Sequence, residues 1–354
     1  MVDERVKKVA DLLVNYSTKI KKNERVQILS GYEARELALE IYKLVLKKGA
    51  YPIVHMDLPG SVYNYYKLAS KEQLKHFPEV AMYEIKKTDA VIYIGSPRNT
   101  KELSNIDPKK ISIRSKIMEK ITEERLKKKW VIFEYPTNAL AQDAEMSLEE
   151  FENFVFGATL IDWKKESKKQ EKLKRILDKG EKVRIIGNDT CLEFSIKGKK
   201  SVKCCGTYNM PDGEVFTEPV KKSVNGYISY SYPAIYSGRE VDGVKLWFKN
   251  GKVVKASADK NEKFLKQMLR TDKGASYLGE FGIGCNPKIN KFIKQILFDE
   301  KINFTVHLAL GRAYKETGGE NKSAIHWDMI KDLKKGGKII IDGKIIQKNG
   351  KWLI

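Results

Sequence analysis

"RVQILSGYEARELALEIYKLVLKKGAYPIVHM", residues 25–56, sets an apolar run, an amphipathic stretch and a second apolar run in direct succession. Arg25–Ser30 and Tyr51–Met56 are short and rich in Val, Ile and Leu, and read as strands. Between them, 32–48 places Leu37, Ile41, Leu44 and Val45 on one helical face. The pattern continues outward. Residues 89–95 (DAVIYIG) and 130–135 (WVIFEY) are again strand-like, with helical stretches between. Continuous apolar strands separated by helices imply a parallel sheet covered on both faces, so the first half is predicted to be an open, mostly parallel α/β domain.

Such sheets often bind nucleotides, but the chemistry for that is thin here. Gly31 follows the first strand, yet no G-x-G-x-x-G follows any strand and no P-loop occurs. GEFGIG, 279–284, is Gly-rich without lying between a strand and a helix, and its glycines suit a close approach of backbone to some other group. His55 and His76 have no acidic or cysteine partners at ligand spacing and read as structural histidines.

The chain has 354 residues, enough for two domains, with 42% hydrophobic and 32% charged residues, as expected of a soluble globular protein. It has no apolar run of membrane-spanning length. The start, MVDERVKKVADLLVNYSTK, has the pattern of an amphipathic helix rather than a signal peptide, so a cytoplasmic location is expected. Cys191, Cys204, Cys205 and Cys285 form no C-x-x-C pair and read as reduced, mostly buried thiols.

A net charge of +21 raises the question of nucleic acid. The basic stretches 108–130 and 162–182, however, mix Lys with Glu at helical spacing and lack interleaved aromatics, which describes solvated helix faces. Lys, Glu and Ile enrichment also suits a heat-adapted protein.

After the lysine-rich helix the character of the chain changes. VRIIG, CLEFSI, GYISYSYP, GVKLWF and KVVKASA follow, and KIIIDGKIIQKNGKWLI, 338–354, reads as three strands joined by Asp-Gly and Asn-Gly turns. The boundary is placed near residue 182, giving domains 1–182 and 183–354, the second a mixed, largely antiparallel α+β domain.

Two of only four histidines, His307 and His326, lie in this second part. In VHLALG, His307 projects from a strand that ends at Gly311; in AIHWDM, His326 and Asp328 are two apart, so on an extended segment they share a face with Trp327 behind. An imidazole beside a carboxylate is most of a metal site, or else a plain His–Asp hydrogen bond. Glu214 follows a Pro-Asp-Gly turn, Glu280 is flanked by glycines, and Glu300 precedes the His307 strand. Six N/O donors exceed what one tetrahedral zinc needs and suit a two-metal hydrolytic site.

NMPDGEVFTEP (209–219), LGEFGIGCNPKI (278–289), FDEK (298–301), VHLALGRAY (306–314), GGENKSAIHWDM (318–329) and DGKIIQKNGKW (342–352) occur in that order. In this the chain resembles the thermophilic aminopeptidase family, dinuclear metallopeptidases of the aminopeptidase T and S type. GREVDGVKLWFKNGKVVKASADKNEKF, 238–264, fits the same family. The resemblance is continuous from about residue 183 to the end and compatible over the first half.

Carried over position by position, the resemblance implies metal ligands at Glu214, Glu280, Glu300, His307, His326 and Asp328, and an active-site tyrosine at Tyr314. It implies two divalent ions (Zn, Co or Mn), peptide substrates with a free N-terminus, a homodimer, and proton transfer by Glu214 or Glu280. Two spacings depart from it. The 307–326 segment is shorter than in bacterial members, and the link from Glu300 to His307 is longer by a couple of residues. The alternatives are a nucleotide-handling α/β enzyme and a nucleic-acid-binding protein that uses the basic charge.

Overall fold

A computed structural model describes residues 2–236 and 238–354 and separates into two compact units, Met1–Ile161 with Gly206–Pro211, and Asp162–Cys205 with Asp212–Ile354. Unit 1 is built on five parallel strands in the order Tyr51–Met56, Arg25–Ser30, Ala90–Gly95, Lys129–Glu134 and Asn209–Met210. The inner strands are the most apolar: Val26, Ile28, Val91, Ile92 and Ile94 are completely buried. The helix after the first strand opens with a 3₁₀ turn at Tyr32–Ala34 and continues as Arg35–Lys47. It buries Leu37, Ala38, Ile41 and Val45, the stripe expected from sequence, with Leu44 only half-buried.

The two lysine-rich helices differ. Pro108–Leu126 has no fully buried residue, and Glu124 near its end pairs with Lys127 at 2.8 Å, as a solvated helix should. Trp163–Lys179 instead buries Trp163, Glu166, Gln170, Leu173 and Leu177 at i, i+3/i+4 spacing. Leu173 and Leu177 belong to the core of unit 2, so this helix opens the second unit rather than closing the first. The division therefore falls at Ile161/Asp162, not near residue 182. The run of lysines along the outer face masks the buried stripe in the sequence.

His55 lies 2.6 Å from the single carboxylate of Glu84, and exposed His76 is 3.9 Å from Glu79. Neither joins a group of three metal-competent side chains among the described residues. No helix among them is long and apolar enough to cross a membrane.

Glu134 ends its strand directly opposite Gly95, whose missing side chain makes room: a Cβ there would come within 2.4 Å of Glu134 Oε2. Burial pushes this carboxyl up from 4.5 to about 7. A folded-state value above the unfolded one means that stability is fully present below about pH 4.5 and lost as pH rises through about 7. The gap corresponds to about 3 kcal/mol. Glu134→Gln is therefore expected to raise the melting temperature above pH 8 and to leave it unchanged at pH 4. An equal effect at both pH values would show that the carboxyl is not desolvated in this way.

Unit 2 is antiparallel throughout its paired strands. An eight-stranded sheet runs from Lys252–Ser257 through Lys245–Lys249, Asn225–Ser229, Thr190–Ser195, Lys182–Gly187, Lys338–Ile341 and Lys344–Lys348 to Lys351–Trp352. Its last two turns are the predicted ones, with positive φ at Asp342-Gly343 and Asn349-Gly350, the pair of conformations that a two-residue hairpin demands. A second sheet has the order His326–Asp332, Thr305–Gly311, Leu278–Gly284, Glu214–Thr217, Val202–Cys204. The core joins the two sheets; Phe194 of one meets Phe281 of the other edge-on at 5.1 Å. Every residue of Leu278–Gly284 and Thr305–Gly311 is buried. These two central strands carry Glu280 and His307.

Candidate metal centre

Strand register explains why the candidate residues meet. His326 and Asp328 stand opposite Gly311 and Ala309, and Glu280 also pairs with Ala309. The small partners leave space above the sheet. Trp327, on the other face, is 1% exposed and packs against Tyr236 and Phe264. His307 lies opposite Gly282, and a Cβ on that glycine would stand 1.9 Å from the ring Nε2. The group that the glycine-rich strand lets through is therefore the His307 imidazole. Glu214 opens its strand opposite Gly284, and Glu300 caps the short helix Ile296–Asp299.

All six residues expected from sequence come together, in two triads. Glu214, Glu300 and His307 form one, and Glu280, His326 and Asp328 the other, with the donor atoms of each triad within 4.8 Å of one another. Three donors so placed can converge on one ion at bond lengths of about 2 Å. Glu280 faces both triads: Oε1 lies 3.4 Å from His307 Nε2, and Oε2 lies 3.2 Å from His326 Nε2. His326 Nδ1 donates to the Arg312 carbonyl at 2.7 Å. That bond fixes the tautomer and leaves Nε2 as the free donor for a metal.

The electrostatics call for cations. Five carboxylates, those of Asp212, Glu214, Glu280, Glu300 and Asp328, share the site with one ammonium, that of Lys301, which is fully buried. Lys301 Nζ is 3.0 Å from Glu214 Oε1 and also contacts Glu300. Burial raises the Glu214 carboxyl, but Lys301 and His307 outweigh it and hold the group below the usual carboxylate range. Glu300 moves the other way, to about 8, because burial with Glu214 and Asp328 nearby exceeds what the shared lysine returns. One ammonium cannot neutralise both carboxylates. Burial also raises Asp328, with Glu280 and Glu214 adding to it. His326 goes up to about 10 against burial because Asp328 and Glu280 favour its proton.

Divalent ions would take the place of the protons that His326 and Glu300 hold here. Asp328 Oδ1 is buried without a hydrogen-bond partner, as a metal-ligand atom would be. The donor set of carboxylates and imidazoles suits zinc, cobalt or manganese.

Tyr314 lies beside the second triad. Its hydroxyl is 3.5 Å from His326 Nε2, and its ring packs on those of Phe216 and His326. Burial and the surrounding carboxylates push the phenol far up, so it stays a donor. The sequence reading missed Lys301, Asp212 and Cys204. Asp212 and Cys204 form a further close group with Glu214. Lys301 carried one available signal, its place directly after Glu300 in FDEK, but it is one of 67 Lys and Arg residues.

The chain is similar to known proteins. The profile of the thermophilic metalloprotease (M29) family matches residues 2–352. Aminopeptidase 2 of Geobacillus stearothermophilus is 27% identical over 410 residues, covering 99% of this chain and 98% of that one. Aminopeptidase AmpS of Bacillus subtilis (strain 168) is 37% identical over 167 residues, 41% of this chain and 40% of its own length. Among solved structures, wild-type AmpT from Thermus thermophilus has the same fold, with a TM-score of 0.88 at 22% identity over 99% of each chain.

Proposed function

The chain belongs to the thermophilic metalloprotease (M29) family, and from that premise we propose that it is a metal-dependent aminopeptidase with two divalent ions. The observation that carries this is the meeting of two complete N/O triads around Glu280 in unit 2. Glu214, Glu300 and His307 would hold one ion, and His326 and Asp328 the other, with Glu280 spanning both. Bound ions supply a water of lowered pKa and polarise the scissile carbonyl.

The chain's own groups do the rest. Tyr314 donates its hydroxyl proton in a hydrogen bond to the oxygen on which charge develops. A carboxylate of the cluster, Glu214 or Glu280, carries the proton to the leaving amine. The nucleotide-handling and nucleic-acid readings gain no support from the family match.

The relatives named above as aminopeptidases support action at a free N-terminus. An uncapped amine can meet a metal or a carboxylate, whereas an acetamide leaves that buried group unmatched at a cost of about 1–3 kcal/mol. Leucyl peptides are expected to be cleaved and their N-acetyl forms to be about 5- to 150-fold slower. Equal rates would make the enzyme an endopeptidase or amidase.

A homodimer is the proposed assembly. Unit 1 exposes Tyr51, Val54 and Met56 on an edge strand, with Leu58, Val62 and Leu68 after it, and a second copy would cover them. Sedimentation as a monomer at micromolar concentration would remove that proposal.

A further inference from the structure

Lys301 is the one candidate-site residue that repels the ions its neighbours attract. Its side chain is completely buried, with Nζ against Glu214 Oε1 and Glu300. Two of the acids proposed to hold an ion, Glu214 and Glu300, accept from it. Glu214 also belongs to a third group of possible ligands. Cys204 stands directly opposite Glu214 across the strand pair, and with Asp212 the three present donor atoms within 4.8 Å of one another. A thiolate with two carboxylates is a competent donor set for zinc or cobalt.

The two oxygens of Glu214 divide the space. Oε1 accepts from Lys301, while Oε2 lies 3.1 Å from His307 Nε2. Nζ therefore sits between Glu214 and Glu300, against the Glu214 oxygen turned away from His307, on the residue whose strand partner is Cys204. We propose that Lys301 is a positioning residue whose ammonium fills the cation locus beside Cys204, Asp212 and Glu214, keeping a third ion out and aiming Glu214 Oε2 at the Glu300–His307 locus. The proposal deepens the two-ion reading and rests on it. A purely structural ion pair would also account for a buried lysine, but its removal would not create a thiolate-ligated ion.

Cobalt reconstitution of the full chain separates these roles, because cobalt bound to a thiolate has an intense near-ultraviolet charge-transfer absorption. The unaltered protein and Lys301→Arg are expected to take up two equivalents without that band. Lys301→Met, which keeps the length and removes the charge, is expected to take up a third equivalent and to show the band. Lys301→Met/Cys204→Ser should lose the band again. Two equivalents and no band in Lys301→Met would overturn the proposal, as would the band in the unaltered protein. If Lys301→Met folds poorly, Co²⁺ is expected to restore its folding by refilling the locus; a variant that stays unfolded with excess Co²⁺ counts against the proposal. Absence of cobalt from the unaltered chain would instead defeat the two-ion reading, a separate outcome read on a separate protein.

Discussion

Tyr314→Phe is expected to lower kcat by about 10²–10³ while leaving KM nearly unchanged, because a hydrogen bond to a developing oxyanion is made mainly in the transition state. The hydroxyl lies 3.5 Å from His326 Nε2, at the edge of the second triad. Burial and the carboxylates Glu280, Asp328, Glu300 and Glu214 keep it protonated, so it can donate throughout the working pH range. The substitution keeps the ring contacts with Phe216 and His326 and deletes only the donor. Steady-state kinetics, with metal content and melting temperature as controls, decide the matter. A Phe variant with normal kcat would make Tyr314 a packing residue and leave the proposed mechanism without its oxyanion donor.

His326→Ala and Asp328→Ala should each remove one ion and reduce turnover to background. They share a strand face, His326 Nε2 lies 3.4 Å from Asp328 Oδ2, and both converge with Glu280. Changes outside the ligand shell typically cost 10–100-fold in metal affinity, and loss of a ligand should exceed about 100-fold. The two losses should not add, since either one empties the same locus. Elemental analysis after dialysis reads the effect directly. Full metal content and turnover in either variant would show the pair to be a structural hydrogen bond.

Much of this was legible because it rested on short-range geometry. Period-two alternation put His326 and Asp328 on one face with Trp327 behind, and the strand register does the same. Asp-Gly and Asn-Gly fixed the C-terminal hairpins through backbone conformation alone. Apolar runs separated by helices gave the parallel sheet of unit 1. The family motifs collected six residues from five separate segments; spacing alone could not have shown that Glu214 and His307 meet, 3.1 Å apart.

What stayed hidden depends on the third dimension. The helix Trp163–Lys179 looked like a solvated helix closing the first domain because lysines surround a buried stripe that only the fold exposes. Gly282 was visibly one of several glycines, but the imidazole that requires it comes from another strand. Lys301 and Asp212 were read as parts of turns and motifs, since a lysine neutralising acids inside a core cannot be told from surface lysines by composition. Cys204 was read as one of the reduced thiols, and its place opposite Glu214 follows only from strand pairing.

The most direct test of the central claim is elemental analysis of the purified chain after reconstitution with excess Zn²⁺, Co²⁺ or Mn²⁺ and removal of free ions, alongside aminopeptidase assays before and after chelation. Two paired triads predict about two ions per chain, with activity abolished by chelator and restored by metal. A chain that binds no ion under these conditions, or that cleaves peptides equally well without one, would contradict the account.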